Sequence, residues 1–220
     1  MALEPYVRRR WPQSLISWTR LLSGRFRDPV VAGHALIGVA LGAALEAFYR
    51  ASGAVELRIG TGSALPGLSV LRGTGKAFGD WLNGLQMGIE IACGAFLLIF
   101  LLRALLRKTW LFTVVVAGIA LLPMAGFFID SNAPPSATDI VFMSLNILAM
   151  VITVLRLGLL PAVVMMISNL TVDLFLSLDF SNWYATSSAL ALVAALALAV
   201  WSFRNALGGR RLLKGDILEG

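Results

Sequence analysis

Three carboxylates, Glu46, Glu90 and Asp173, and two amides, Asn146 and Asn169, interrupt long apolar runs in this 220-residue chain. An ionisable group among apolar neighbours is costly unless it faces protein or water. Such a set therefore marks either a proton or cation site or a group of interhelical hydrogen bonds. Asn169 precedes Asp173 by one helical turn, so the two share a face, and Glu46 precedes Arg50 by the same spacing, which allows a pair along one helix. Pairing between helices is the preferred reading. An ion or polar cluster built from Glu46, Glu90, Asn146, Asn169 and Asp173 stands beside it as the functional alternative.

Other chemistry has few residues to draw on. There is a single cysteine, Cys93, and a single histidine, His34, so neither a disulfide framework nor a thiolate metal site can form, and a zinc peptidase motif with two histidines is excluded. Cys93 is expected to pack as an apolar residue, and His34 to meet the interface or a neighbouring helix. The run Gly73-Thr74-Gly75-Lys76 is not a phosphate-binding loop: Val70 stands where that motif needs Gly, and Ala77 where it needs Ser or Thr. No catalytic residue, metal ligand or cofactor site is expected, and the chain is not expected to be an enzyme.

These residues are positioned by a sequence that is 58% hydrophobic and only 14% charged, more apolar surface than one soluble core of this size could hide. A membrane-crossing helix needs roughly 20 apolar residues to cover a hydrocarbon core of about 30 Å. The apolar runs predict six spans, at about 30–49, 85–105, 110–129, 139–155, 157–178 and 183–203. Helices are favoured over a β-barrel because the runs are continuously apolar instead of alternating. The fold class is all-α, a polytopic transmembrane helix bundle of residues 30–204 between basic tails at 1–29 and 205–220.

Lys and Arg are retained on the cytoplasmic side of membranes. Arg8, Arg9, Arg10, Arg20, Arg25 and Arg27 precede span one, Arg103, Arg107 and Lys108 link spans two and three, Arg156 follows span four, and Arg204, Arg210, Arg211 and Lys214 follow span six. With six spans these fall on one side, predicting both termini in the cytoplasm of a cell with this protein in its inner (plasma) membrane. Only the loop 50–84, with Arg50, Arg58, Arg72 and Lys76, weakens the contrast. The net charge of +6 is this topological bias, together with anionic lipid, so nucleic acid is not an expected partner. The resulting directions put Glu46, Glu90 and Asp173 in the outer third of the bilayer, where they could line a vestibule.

Local signals refine the picture. Trp11, Leu15, Trp18 and Leu22 recur at helical spacing and predict a short interfacial helix, and Asp28-Pro29 marks the start of span one. Arg8 to Arg10 precede a mixed stretch instead of an apolar run with a cleavage pattern, so the tail is not read as a signal peptide. The glycines and Pro66 of the loop 50–84 argue against a long regular helix there. Gly38 and Gly42, and Gly84 and Gly88, have the spacing that lets helix backbones approach. Packing within the chain is favoured, with a homodimer through Gly38 and Gly42 as the alternative. Pro123 is expected to kink span three, and Pro161 to lie in the first turn of span five.

Several segments resemble a known family. The run from Leu178-Asp179-Phe180-Ser181-Asn182-Trp183-Tyr184 through Ala185-Thr186-Ser187-Ser188, and then Ser202-Phe203-Arg204-Asn205-Ala206-Leu207-Gly208-Gly209-Arg210, resembles the end of the multi-pass membrane region attached to many bacterial serine/threonine protein kinases. Ser23-Gly24-Arg25-Phe26-Arg27-Asp28-Pro29, the Leu-Leu-Arg patterns between Leu101 and Trp110, and Leu155-Arg156-Leu157-Gly158-Leu159-Leu160 look like the same region in the same order. The chain has no kinase Gly-rich loop, His-Arg-Asp loop or Asp-Phe-Gly, so no catalytic residue carries over. The resemblance implies a membrane module that anchors or regulates a cytoplasmic kinase or other signalling protein.

Overall fold

A computed structural model describes residues 15–59, 73–106, 118, 137–174 and 185–208. Within them the chain forms six helices and no strand: α1 (Ile16–Leu22), α2 (Pro29–Ile59), α3 (Thr74–Leu105), α4 (Ala137–Arg156), α5 (Leu159–Asp173) and α6 (Ala185–Ala206). Four of these, α2, α3, α4 and α6, are long and apolar enough to cross a membrane. Large apolar side chains stand on their outward faces, among them Ile37, Leu97, Leu101, Leu148, Ile152 and Val200. An apolar exterior on long apolar helices suits lipid and not water, and the chain is a membrane protein. The predicted third span, 110–129, and the expected kink at Pro123 lie outside the described residues.

The central element is α5. Its 15 residues rise about 22 Å, short of a full crossing. Ten of them are buried, because α5 is packed between α2 and α3 with α4 and α6 beside it. The chain reverses between α4 and α5 at Gly158, whose φ of 95° is a conformation other residues rarely adopt. Pro161 then sits in the first turn, where a missing N–H removes no helical bond, as its sequence position predicts.

Small residues set the helix contacts. A Cβ added at Gly38 would stand 2.7 Å from the Pro161 carbonyl oxygen, and one at Gly42 would stand 2.9 Å from the Asn169 nitrogen. Gly88 meets Ile167 across the other side of α5, with Gly84 against Leu170. The Gly38–Gly42 face is thus taken by α5 of the same chain, and a homodimer through it would have to displace that helix. Around this junction Ala92, Phe96, Ile99, Met150, Val154, Leu159, Ala162 and Met165 form one buried cluster. A second one joins Val31, Ala35 and Val39 of α2 to Leu160 and Val164 of α5, with Leu198 and Trp201 of α6 against it.

Contacts also define two ends. Trp18, Leu102 and Leu106 pack against the cluster that holds Leu159, Trp18 also packs against the cluster that holds Val31 of α2, and a Cβ on Gly208 would lie 3.3 Å from Pro29. This end carries Arg20, Arg103, Arg156 and Arg204, each in the last turn of its helix, where a cation favours the helix dipole. The opposite end carries Glu46, Tyr49 and Asp139. The helices α2 and α5 run from the basic end to the acidic end, while α3, α4 and α6 run back.

Two boundaries differ from the sequence reading. The helix α2 continues to Ile59 and α3 begins at Thr74, so helix occupies both flanks of the predicted loop 50–84. Gly53 stands in open space, where a helical glycine costs only about 1 kcal/mol. Pairing of Lys76 with Asp80, and of Thr138 with Glu56, supports these extensions. In α1, Leu15 and Trp18 pack inward as their spacing predicts, but Leu22 is 70% exposed and Leu21 takes the inward place. Leu22 is the last residue of the helix, and the chain turns away through Gly24. Trp11 lies outside the described residues.

Asp28 joins α1 to α2. Its carboxylate accepts the Val30 N–H at 2.9 Å and pairs with Arg20 at 2.9 Å. The Val30 hydrogen bond is the largest cause holding this carboxyl below its usual range; desolvation opposes it, and the charge and hydrogen bond of Arg20 add to the lowering. A pKa lowered on folding means that the junction is stabilised above the ordinary carboxylate range and loses this support as pH falls through the lowered value. Hydrogen exchange over residues 16–31, corrected for intrinsic rates, is expected to rise in Asp28→Ala, and to rise in the wild type only under such acidic conditions.

Candidate functional site

At the acidic end, α2, α4 and α5 leave an open cleft of about 280 Å³ lined by Glu46, Tyr49, Asp139, Phe142, Met143, Asn169, Leu170 and Asp173. Glu46, one helical turn before Arg50, is 3% exposed, and its Oε1 accepts the Arg50 Nε–H at 2.8 Å. The same guanidinium donates through Nη2 to the Asp173 carbonyl oxygen at 2.6 Å, with the Val172 carbonyl and Asp173 Oδ1 both at 3.4 Å. Helix ends leave carbonyls without helical partners, and the last turn of α5 contains no basic residue of its own. Arg50 supplies one from α2. A single side chain thereby compensates a buried carboxylate and closes the end of the central helix.

The other wall is aromatic and acidic. The Tyr49 hydroxyl donates to Asp139 Oδ1 at 3.1 Å, and the Tyr49 ring lies 4.4 Å from that of Phe142 at 33°. Asp139 also lies in the first turn of α4, where the helix dipole favours an acid. Asn169 points to α2 and donates to the Gly42 carbonyl oxygen at 3.4 Å, and the adjacent Ser168 hydroxyl donates to the Val39 carbonyl oxygen, about one turn earlier on α2, at 3.2 Å. These bonds are possible because Gly38 and Gly42 bring the backbones together.

Of the five residues singled out in the sequence, the structure brings together three: Glu46, Asn169 and Asp173. Asn146 lies further along the same face of α4 and is half-buried, but does not line the cleft. Glu90 does not join them. It is exposed on α3, accepts from its own helical neighbour Gln86 at 2.9 Å, and lies on the opposite side from the Gly84–Gly88 contact with α5. Chain order sets which level a residue reaches, but only packing sets which way it faces.

Tyr49 and Asp139 belong to the cleft although the sequence reading passed over them. A signal was present: Tyr49 follows Glu46 at i+3 on a helix, so the two share a face, and Asp139 opens the fourth apolar run. His34 is half-buried in α2, and Cys93 packs partly against the main buried cluster. Among the described residues no group of three metal-binding side chains could hold an ion. Chemically, the cleft combines three carboxylates with one guanidinium, one phenol and one amide that is already committed to the backbone of α2. No protein-family model, curated protein or solved structure matches the chain.

Proposed function

We propose that the chain is a non-catalytic integral membrane module that anchors or regulates a cytoplasmic signalling partner. The observation that carries this reading is the tie through Arg50: the acids that could have served transport instead join α2 to the end of α5. Glu90, the third acid a shared vestibule would need, lies on another face. A module that holds or transmits needs a packed bundle with an accessible cytoplasmic end, and the arginines of α1, α3, α4 and α6 collect at one end. We assign that end, with both termini, to the cytoplasm of a bacterial plasma membrane.

Six spans fit the same arrangement. The end of α3 lies at the basic end and the start of α4 at the acidic one, so residues 107–136 must connect opposite ends, as a crossing at 110–129 would do. The resemblance to the membrane region of bacterial serine/threonine kinases suggests the class of partner. Cross-linking of the tagged full chain in bacterial membranes is expected to recover a cytoplasmic kinase or another signalling protein. Replacing Arg103, Arg156 and Arg204 together by Gln is expected to reduce that recovery. If repeated captures return no cytoplasmic protein, the reading fails. The cleft at Glu46, Asp139 and Asp173 favours one alternative, a small transporter or ion-conducting protein using those carboxylates.

A further inference from the structure

The elbow between α1 and α2 is held in one shape by its own backbone. Gly24, at φ 79°, closes α1: its N–H donates to the Leu21 carbonyl oxygen and the Arg25 N–H to that of Arg20, both at 3.0 Å, the pairing of a Schellman motif. The Asp28 N–H then donates to the Arg25 carbonyl oxygen at 3.2 Å, and the Asp28 carboxylate accepts from Val30 and pairs with Arg20. The side chains between these ties stand outward. Leu22 is 70% and Phe26 54% exposed, and Arg25 and Arg27 are exposed on either side of Phe26. An open recess of about 430 Å³ is lined by Gly24, Arg25, Phe26, Arg27 and Asp28.

Charge and position say what this recess suits. Asp28 is already answered by Arg20, whereas neither guanidinium of Arg25 or Arg27 meets an acid among the described residues. The elbow therefore presents two uncompensated cations. It also lies where a membrane begins. Pro29 opens a membrane-crossing helix whose apolar Val30 and Ile37 are exposed directly beyond the elbow. That span of 28 residues rises about 42 Å, enough for the hydrocarbon core together with its headgroup layers, so its first turn falls at headgroup level. At that level exposed Leu and Phe side chains settle at the boundary with the acyl chains, and a guanidinium can hold two phosphate oxygens at once.

We propose that the elbow is a binding site for the phosphate of an anionic phospholipid headgroup, held by Arg25 and Arg27 while Leu22 and Phe26 enter the lipid beside it. Two uncompensated cations favour a lipid of net negative charge, because a zwitterionic headgroup brings a cation of its own into the recess. The apolar pair favours lipid over free phosphate, which gains nothing from Leu22 and Phe26. The site requires only that the chain sits in a membrane. It is independent of any signalling partner at the basic end and of which face of the membrane that end occupies.

The test is native mass spectrometry of the full chain in detergent, titrated with phosphatidylglycerol or with phosphatidylcholine of the same acyl chains. The wild type is expected to bind phosphatidylglycerol more tightly. Replacing Arg25 and Arg27 together by Gln is expected to weaken that binding about thirtyfold, the effect of removing two cations at a lipid surface. Arg156→Gln with Arg204→Gln removes the same charge from exposed positions at the same end and is expected to change it by less than about threefold. Phe26→Ser is expected to weaken both lipids about fivefold through lost apolar contact. Equal weakening by the two double variants would reduce the effect to net charge and overturn the site. An Arg25 and Arg27 variant that binds like the wild type, as when another segment of the chain fills the recess, would overturn it too. Displacement of phosphatidylglycerol by inorganic phosphate at equal concentration would reassign the recess to the free ion and overturn the lipid as its occupant.

Discussion

Replacing Arg50 by Ala is expected to destabilise the bundle by about 3–5 kcal/mol, the size seen when one partner of a buried ion pair is removed. Glu46 is 3% exposed and would be left buried without the guanidinium that pairs with it. The carbonyls of Val172 and Asp173 would lose their donor in the same step. The two losses can be separated. Glu46→Gln in the Arg50→Ala background removes the uncompensated carboxylate but leaves the end of α5 open, so it is expected to recover part of the stability and not all. A double-mutant cycle on reversible unfolding in detergent measures the coupling. An Arg50→Ala protein as stable as the wild type would show that the tie between α2 and α5 contributes nothing.

Gly42→Leu is the second large effect. A Cβ at this position would stand 2.9 Å from both the Asn169 nitrogen and the Ser168 Cβ, so the obstacle is partly backbone and cannot rotate away. Gly42→Ala alone is expected to cost about 1–3 kcal/mol through overpacking. The four-carbon side chain of Leu must push α2 and α5 apart, breaking the Asn169 and Ser168 hydrogen bonds, and is expected to abolish the monodisperse folded species on size exclusion. Gly53→Ala provides the opposite control on the same helix. Its position is open, so the change is expected to be neutral or to stabilise by up to about 1 kcal/mol. If Gly42→Leu and Gly53→Ala behave alike, close approach of the two helices is not what holds α5.

Much of this arrangement is legible along the chain because the signals are local. Continuous apolar runs mark α2, α3, α4 and α6, and Asp28-Pro29 and Pro161 mark helix starts. Glu46 and Arg50, one turn apart, pair as their spacing suggests. The reach of Arg50 to Asp173, 123 residues later, has no local signal, since it depends on α2 and α5 lying side by side. The facing of Glu90 is hidden for the same reason: alternating direction predicts a level but not a rotation. Glycine content does not mark the helix ends. Gly53 and Gly75 are tolerated within helices where exposed positions and local ion pairs offset their low propensity, so helix extends into a segment whose composition reads as loop.

The carboxylates of the cleft at the acidic end are expected to hold helices together and not to move ions. The most direct test is the purified full chain in liposomes, with proton and monovalent-cation flux measured under an imposed potential. Flux no greater than in empty vesicles is expected for the wild type and for Glu46→Gln and Asp173→Asn. A wild-type flux that disappears in both variants would contradict a purely structural role for these carboxylates and assign the cleft to transport.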